Sequence, residues 1–176
     1  MNTHICYDIG STTLGQVLVA TNDAGIHAIL LGDSASAVTR ELHERFPQAR
    51  LERDARRAAG ALRQVIELAD GARGSLDLPL APSGTAFQQR VWRALRRIPA
   101  GATASYADIA RGIDAPTSFR AVAQACGANP LALAIPCHRV VRADGALSGY
   151  RWGVARKRAL LEREAGHSHG APAVAT

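Results

Sequence analysis

The chain has 176 residues, 47% of them hydrophobic, and carries Lys+Arg 21 against Asp+Glu 15, a net charge of +6. That length allows one ordinary domain or two small ones with a core that needs no cross-links, and three widely spaced cysteines, Cys6, Cys126 and Cys137, exclude a disulfide scaffold and, with no CxxC pair, a cysteine-rich zinc module. Met1 leads into polar Asn2 and Thr3 with no long apolar run behind them, so neither a signal peptide nor a membrane span is expected, and a reducing cytoplasm is the expected setting.

Residues 4–9, 14–21 and 26–31 read as strands, the last two joined by the hairpin turn Asn22-Asp23-Ala24-Gly25. Ser34 can cap a helix to about residue 46, in which Val38, Leu42, Arg45 and Phe46 fall at helical spacing before Pro47 stops it. A second helix, about 54–69, puts Ala58, Leu62, Val65, Ile66 and Ala69 on one face. Turn residues at 70–75 and a linker-like stretch at 76–83 close this first unit. The expected domains are therefore 1–83 and 84–166, with a disordered tail at 167–176. No site assembles in the first unit: His4 and Cys6 share a strand face and His27 lies on another strand, but a fourth metal ligand is missing.

The second unit reads as helical. Thr85 caps a helix of about 86–97, with Phe87, Val91, Ala94, Leu95 and Ile98 inward and Arg90, Arg93, Arg96 and Arg97 largely outward. Ser105 caps a short helix through Ala110, with Asp108 at the capping-box position, and a further helix starts at Thr117 or Ser118 and runs to about Cys126. Two short helices across a tight turn suggest a helix-turn-helix. On the second, Ala121, Val122, Ala123 and Ala125 are small and Arg120 is long and charged, which suits either a nucleic-acid reading helix or close packing inside the protein. Charge is uneven as well. Residues 1–83 hold eight arginines against ten acids, a balance of −2; residues 84–176 hold twelve arginines and Lys157 against five acids, a balance of +8. A basic domain attracts polyanions by counterion release, so nucleic acid is the natural partner, and a solvated basic surface is the alternative.

In Ile135-Pro136-Cys137-His138-Arg139-Val140-Val141, Pro136 fixes its own φ and pushes Ile135 toward an extended conformation, which places Cys137 on a stiff turn. Cys137 is a reactive atom there or an inert small hydrophobe. A thiol titrates near ~8.5, so a nucleophile needs help, and the adjacent His138 can act as base directly or through a water, with Glu164 as its orienting group. A Cys-His hydrolase with turnover stays open on these residues, although no oxyanion donors stand out. Ser148-Gly149-Tyr150-Arg151-Trp152-Gly153 is a glycine-hinged aromatic loop able to close over a planar ligand. A final helix, about 154–165, carries Arg156, Lys157, Arg158 and Arg163 with Leu160 and Leu161 inward, and Gly166 ends it. His167 and His169 read as tail composition, and Cys126 as a packing residue.

Pro136-Cys137-His138-Arg139-Val140, preceded by Asn129-Pro130 and followed by Gly149-Tyr150-Arg151-Trp152-Gly153, resembles the active site of the O6-alkylguanine-DNA alkyltransferases. Phe87-Gln88-Gln89-Arg90-Val91-Trp92, Ser105-Tyr106, Arg120-Ala121-Val122 and, in the first unit, residues 25–32 extend the likeness, which is greatest to the alkyltransferase domains of the bacterial adaptive response. The resemblance implies an α/β (α+β) protein: a ribonuclease-H-like N-terminal domain with a small antiparallel sheet, then a helical C-terminal domain whose helix-turn-helix binds the DNA minor groove. It implies a monomer, without a cofactor, that repairs O6-alkylguanine and to a lesser extent O4-alkylthymine in double-stranded DNA by irreversible, single-turnover transfer of the alkyl group to Cys137.

Carried over residue by residue, His138 is the water-linked base, Glu164 the carboxylate that polarises it, Asn129 the residue that ties the active-site turn together, and Tyr106 the donor to the departing guanine. Arg120 fills the stack after base flipping, Ser105, Tyr106, Ala121 and Ala123 face DNA, and Val140, Tyr150, Arg151 and Trp152 form the substrate pocket, with backbone groups at Cys137, Val140 and Arg151 bonding the base edges. Three departures matter. His27 matches a zinc ligand of some relatives but Asn22 stands in a ligand cysteine's place, so no metal is expected; the four-cysteine zinc module of the adaptive-response members is absent from these residues. Gly127 stands where some relatives have an arginine on the reading helix, which puts one phosphate contact in doubt. Trp152 replaces a small residue found in some relatives and is expected to narrow the pocket in favour of methyl over bulky groups.

Overall fold

A run of β-branched and small apolar residues with few breaks, from His4 to Gly32, builds three strands in succession: β1 (His4–Thr12), β2 (Gly15–Asn22) and β3 (Gly25–Gly32). The structure, a computed structural model, describes residues 2–168. It divides into two units, Met1–Gly84 with Asn129–Ala134, and Thr85–Ala128 with Ile135–Thr176. Among the described residues it is a mixed α/β protein with six helices and two small sheets.

In the first unit, α1 (Ala35–Arg45), β4 (Arg50–Arg53) and α2 (Ala55–Ala69) complete the architecture. The sheet order is β3-β2-β1-β4, antiparallel except for the parallel β1–β4 pair. The helices pack on the sheet through Val38 and Leu42 of α1 and Ala58, Ala61, Val65 and Ala69 of α2, all buried. Each buried Val, Leu or Ile contributes roughly 1.5–3 kcal/mol relative to exposure. Ser34 caps α1 by accepting from the Ala37 N–H at 3.1 Å, and Asp54 caps α2 by accepting from Arg56 and Arg57 at 3.0 and 3.1 Å.

Two features of this unit lay beyond sequence patterning. Strand β4 is short and three of its four residues are charged, the composition of a protected sheet edge and not of a hydrophobic strand. The opposite edge, β3, is covered by two distant segments. Ile26 donates to the Pro79 carbonyl at 2.9 Å and accepts from Ala81 at 2.8 Å, while Ile29 donates to the Pro130 carbonyl at 2.9 Å and accepts from Ala132 at 3.0 Å. The stretch 76–83 is therefore pinned to the sheet and does not run as a plain linker, and Asn129–Ala134, expected within the second domain, clusters with the first unit because these backbone groups pair there. Gly25 permits the approach: its φ is 134°, and a Cβ there would collide with the Pro79 carbonyl oxygen.

The second unit contains α3 (Ala86–Leu95), β5 (Ala104–Ser105), α4 (Tyr106–Gly112), α5 (Phe119–Gly127), a 3-10 turn (Cys137–Arg139), β6 (Val140–Val141) and α6 (Val154–Ser168). Thr85 with Gln88, and Ser105 with Asp108, form reciprocal capping boxes that start α3 and α4. Helices α3, α4 and α5 pack together. Trp92, and not the half-exposed Phe87, is the buried aromatic of α3, and its Nε1–H donates to the Ala125 carbonyl of α5 at 2.9 Å. Strands β5 and β6 pair in parallel, Ala104 with Val140 and Ser105 with Val141. Helix α6 passes through Gly166 to Ser168, and the His167 Nδ1–H donates to the Arg163 carbonyl at 2.8 Å, so the expected tail does not begin at 167. The rest of that tail, with His169, lies outside the described residues. Among those described, no helix is long and apolar enough to cross a membrane.

Candidate active site

The pairing of β5 with β6 decides what meets at the cysteine. Val141 follows the 3-10 turn that Cys137 opens, and its partner Ser105 immediately precedes Tyr106, so the start of α4 is brought beside the cysteine turn. The turn itself is fixed by bonds from the Cys137 N–H to the Ile135 carbonyl at 2.8 Å and from the Arg139 N–H to the Pro136 carbonyl at 3.0 Å. Cys137 and His138 are buried, and Cys137 lines a cavity of about 930 Å³. The wall also includes Ser105 and Tyr106, then Phe119, Ala123, Cys126 and Gly127 of α5, and Arg142, Leu147, Ser148, Gly149, Tyr150 and Arg151 from the loop before α6.

His138 and Glu164, 26 residues apart, meet at 2.8 Å between Nε2 and Oε1. Arg139 completes the cluster. Its Nε–H donates to Glu164 Oε2 at 3.0 Å, a terminal N–H donates to Oε1 at 2.8 Å, and the other terminal nitrogen donates to the Ile98 carbonyl at 2.6 Å. Burial pushes the Glu164 carboxyl upward, but the hydrogen bonds and charges of His138 and Arg139 outweigh it and bring the group down to about 2. His138 is held below its usual value, first by burial, against the opposing pull of Glu164. The combination is a neutral imidazole beside an ionised carboxylate. The carboxylate can only accept, so Nε2 carries the proton and Nδ1, which bonds no other group among the described residues, keeps its lone pair. Tyr150 packs edge-on against His138 at 6.5 Å, and Trp152 packs edge-on against Tyr150 at 5.4 Å.

Lys157, grouped by sequence with the arginines of the last helix and not with its inward leucines, has a fully buried side chain. Its Nζ donates to the Val140 carbonyl at 2.6 Å, to Ser148 Oγ at 3.1 Å and to the Gly149 carbonyl at 3.5 Å. Ser148 Oγ in turn shares a hydrogen bond with the Tyr106 hydroxyl. Burial holds the Lys157 ammonium below the usual lysine range, while the neighbouring Cys137 and Cys126 act in the opposite direction. One signal was available in the sequence. Lys157 is the single lysine in a chain that otherwise uses arginine at every basic position, and three convergent acceptors suit a compact ammonium better than a planar guanidinium.

The other expected site residues are distributed as follows. Tyr106, Ser105, Ala123, Tyr150 and Arg151 lie on the cavity wall. Val140 and Trp152 do not: both are buried, Val140 in β6 and Trp152 behind Tyr150, so the bulk of Trp152 is not itself a wall of the cavity. Arg120 is exposed at the first turn of α5, its guanidinium 5.9 Å from the centre of the Phe119 ring, and Ala121 is half-buried. Asn129 is buried in the first unit, where its Oδ1 accepts from the Leu131 N–H at 2.8 Å. Cys126 shares the cavity wall, and burial pushes its thiol far up. Among the described residues no group of His, Cys, Asp and Glu could hold a metal ion. His4 Nε2 lies 2.8 Å from Glu52 and 4.0 Å from Cys6 Sγ, and His27 Nε2 pairs with Asn22 Oδ1 at 2.8 Å.

A family model described as 6-O-methylguanine DNA methyltransferase, DNA binding domain, matches residues 86–166. The chain is 53% identical over 164 residues to the regulatory protein ada of Salmonella typhimurium, an alignment that covers 93% of this chain and 46% of that protein; the chain thus spans about half the length of this relative. It is 39% identical over 160 residues to a methylated-DNA--protein-cysteine methyltransferase of Methanosarcina barkeri, covering 90% of this chain and 96% of the other. The crystal structure of Mycobacterium tuberculosis OGT in complex with DNA superposes with a TM-score of 0.77 at 36% identity, covering 97% of this chain and 96% of that one. With the Methanosarcina barkeri relative 39% identical and matched over nearly its whole length, and with Cys137, Tyr106 and Tyr150 on the wall of one cavity, the chain belongs to the methylated-DNA--protein-cysteine methyltransferase family.

Proposed function

We propose that this protein repairs O6-alkylguanine in DNA, and O4-alkylthymine less readily, by transferring the alkyl group once and irreversibly to Cys137. The observation that carries this reading is Cys137 on the wall of a cavity, beside a buried imidazole whose Nε2 is held by Glu164 and whose Nδ1 lone pair is left available. Family membership and the basic second unit support DNA as the partner. The four-stranded sheet with one parallel strand supports a ribonuclease-H-like first domain, and α4 and α5 across a short turn support a helix-turn-helix in the minor groove, with Ser105, Tyr106, Ala121 and Ala123 facing the DNA. Arg120, exposed at the head of α5, fills the gap left by the flipped nucleotide. The protein acts as a monomer in the cytoplasm, within domains close to 1–83 and 84–166.

The target carbon lies inside a duplex, so the nucleotide is first extruded at a cost of a few kcal/mol, least for a weakened pair. His138 Nδ1, through a water, takes the Cys137 proton, and Glu164 stabilises the imidazolium. The thiolate attacks the alkyl carbon, the carbon–oxygen bond breaks, and Tyr106 donates to the purine as it leaves. Asn129 braces the turn from its side chain, and Tyr150 and Arg151 line the base pocket. The product is a thioether, which offers no carbonyl to water, so the cysteine is consumed. Incubation with a duplex carrying O6-methylguanine should add one methyl group to Cys137 by mass spectrometry, and Cys137→Ala should abolish transfer while retaining DNA binding. Repair of many lesions per protein molecule would overturn the reading.

A further inference from the structure

A buried lysine is costly unless its ammonium is used, and nothing in the alkyl transfer described above uses it. Two of its three acceptors, the Val140 and Gly149 carbonyls, would suffice to pin the loop before α6. The third is a hydroxyl, and that hydroxyl is bonded to Tyr106 on the cavity wall. An ammonium can only donate, so Ser148 Oγ accepts from Lys157 and can pass its own proton to the Tyr106 oxygen, which frees the Tyr106 O–H to point into the cavity. We propose that Lys157, Ser148 and Tyr106 form a proton relay in which Lys157 is the source that replenishes Tyr106 as it protonates the departing purine. The inference rests on the alkyl-transfer reading and deepens it.

The step balances in atoms and charge. The Cys137 thiolate forms the sulfur–carbon bond with its lone pair, and the carbon–oxygen bond breaks with its electrons leaving on the purine. The Tyr106 proton moves to the purine, the Ser148 proton to the Tyr106 oxygen, and one Lys157 proton to Ser148 Oγ. A thiolate and an ammonium are replaced by a thioether and a neutral amine, and guanine leaves uncharged. Electrostatics time the transfer. Burial already makes the ammonium a readier donor, and the negative Cys137 opposes that; alkylation removes the opposing charge at the moment the purine needs a proton. Ser148 and Lys157 thus act through Tyr106 as positioning residues.

The test is single-turnover alkyl transfer by rapid quench, with DNA binding measured alongside, for the wild type, Ser148→Ala and Ser148→Thr. Two duplexes are compared, one with O6-methylguanine and one with its 8-halogenated analogue, whose leaving purine is less basic. General acid assistance is worth roughly 10²–10⁴-fold, and Ser148→Ala, which keeps Tyr106, should forfeit about tenfold or more of it. The threonine hydroxyl should restore the rate, and the alanine penalty should shrink on the halogenated purine. Ser148 is half-buried, so its truncation spares the core, and Lys157→Met, checked for folding by circular dichroism, should slow transfer in the same sense. A Ser148→Ala protein as fast as the wild type, or slowed equally on both purines, would overturn the relay alone. Absence of transfer by the wild type would overturn the alkyl-transfer reading and the relay with it.

Discussion

Glu164 serves His138 and Arg139 at once, and its protonation state sets a pH dependence whose sign can be worked out. Its carboxyl falls from an ordinary 4.5 to about 2 in the folded protein, so the stabilisation it provides is complete above pH 4.5 and is lost as pH drops toward 2. The shift corresponds to at most about 3 kcal/mol. Thermal unfolding of the wild type and Glu164→Gln should differ clearly at pH 7 and converge toward pH 2. The same substitution removes the acceptor that fixes the His138 tautomer and should slow transfer at least ~10-fold in single-turnover kinetics. His138 is depressed by burial, so the acid limb of the transfer rate should lie below the usual histidine value of 6.5; a limb at or above it would contradict the neutral, buried imidazole. At Trp152 the expectation of a narrowed pocket changes in form. The ring presses on Tyr150 from behind, so Trp152→Ala should widen the pocket only as Tyr150 retreats. Faster reaction with O6-benzylguanine, at a stability cost of about 3–5 kcal/mol in urea unfolding, is the expected outcome.

At the scale of elements, long periodic segments could be read and short ones could not. Strands β1 to β3 and helices α1 and α2 announced themselves through alternation, helical spacing and, for α1, the cap Ser34, because those signals are local. Strands β5 and β6 have two residues each, too few for any period, and they exist only because distant backbones pair. The same holds for the site. Cys137 beside His138 is a local motif, whereas the burial of Lys157 depends on Val140, Ser148 and Gly149 converging on it, and a charged residue on a helix otherwise reads as facing water. On α3 the helical spacing found the inward face, with Val91, Leu95 and Ile98 buried, but it left out Trp92, the side chain that reaches α5. Trp92→Phe keeps the ring and loses the bond to Ala125, and should lower stability by ~1 kcal/mol in urea unfolding without changing the slope.

Across the whole molecule, charge is partitioned between the sequence halves, −2 over residues 1–83 and +8 over 84–176. DNA affinity should therefore fall steeply with salt, each phosphate contact contributing about 0.9 to the slope of log K against log salt. Gly127, with open space around its Cβ position, is the place to add one: Gly127→Arg should steepen that slope by about one contact in fluorescence titrations at several salt concentrations. Covering β3 with residues 79–81 and 130–132 has a consequence for biosynthesis. A chain emerging from the ribosome makes all four strands of the first sheet by residue 53, yet the β3 edge stays open until residue 132 has left the tunnel. Vectorial folding of the first unit must wait for its last strap, and the cysteine five residues further on emerges from the tunnel just after that sheet can finally close.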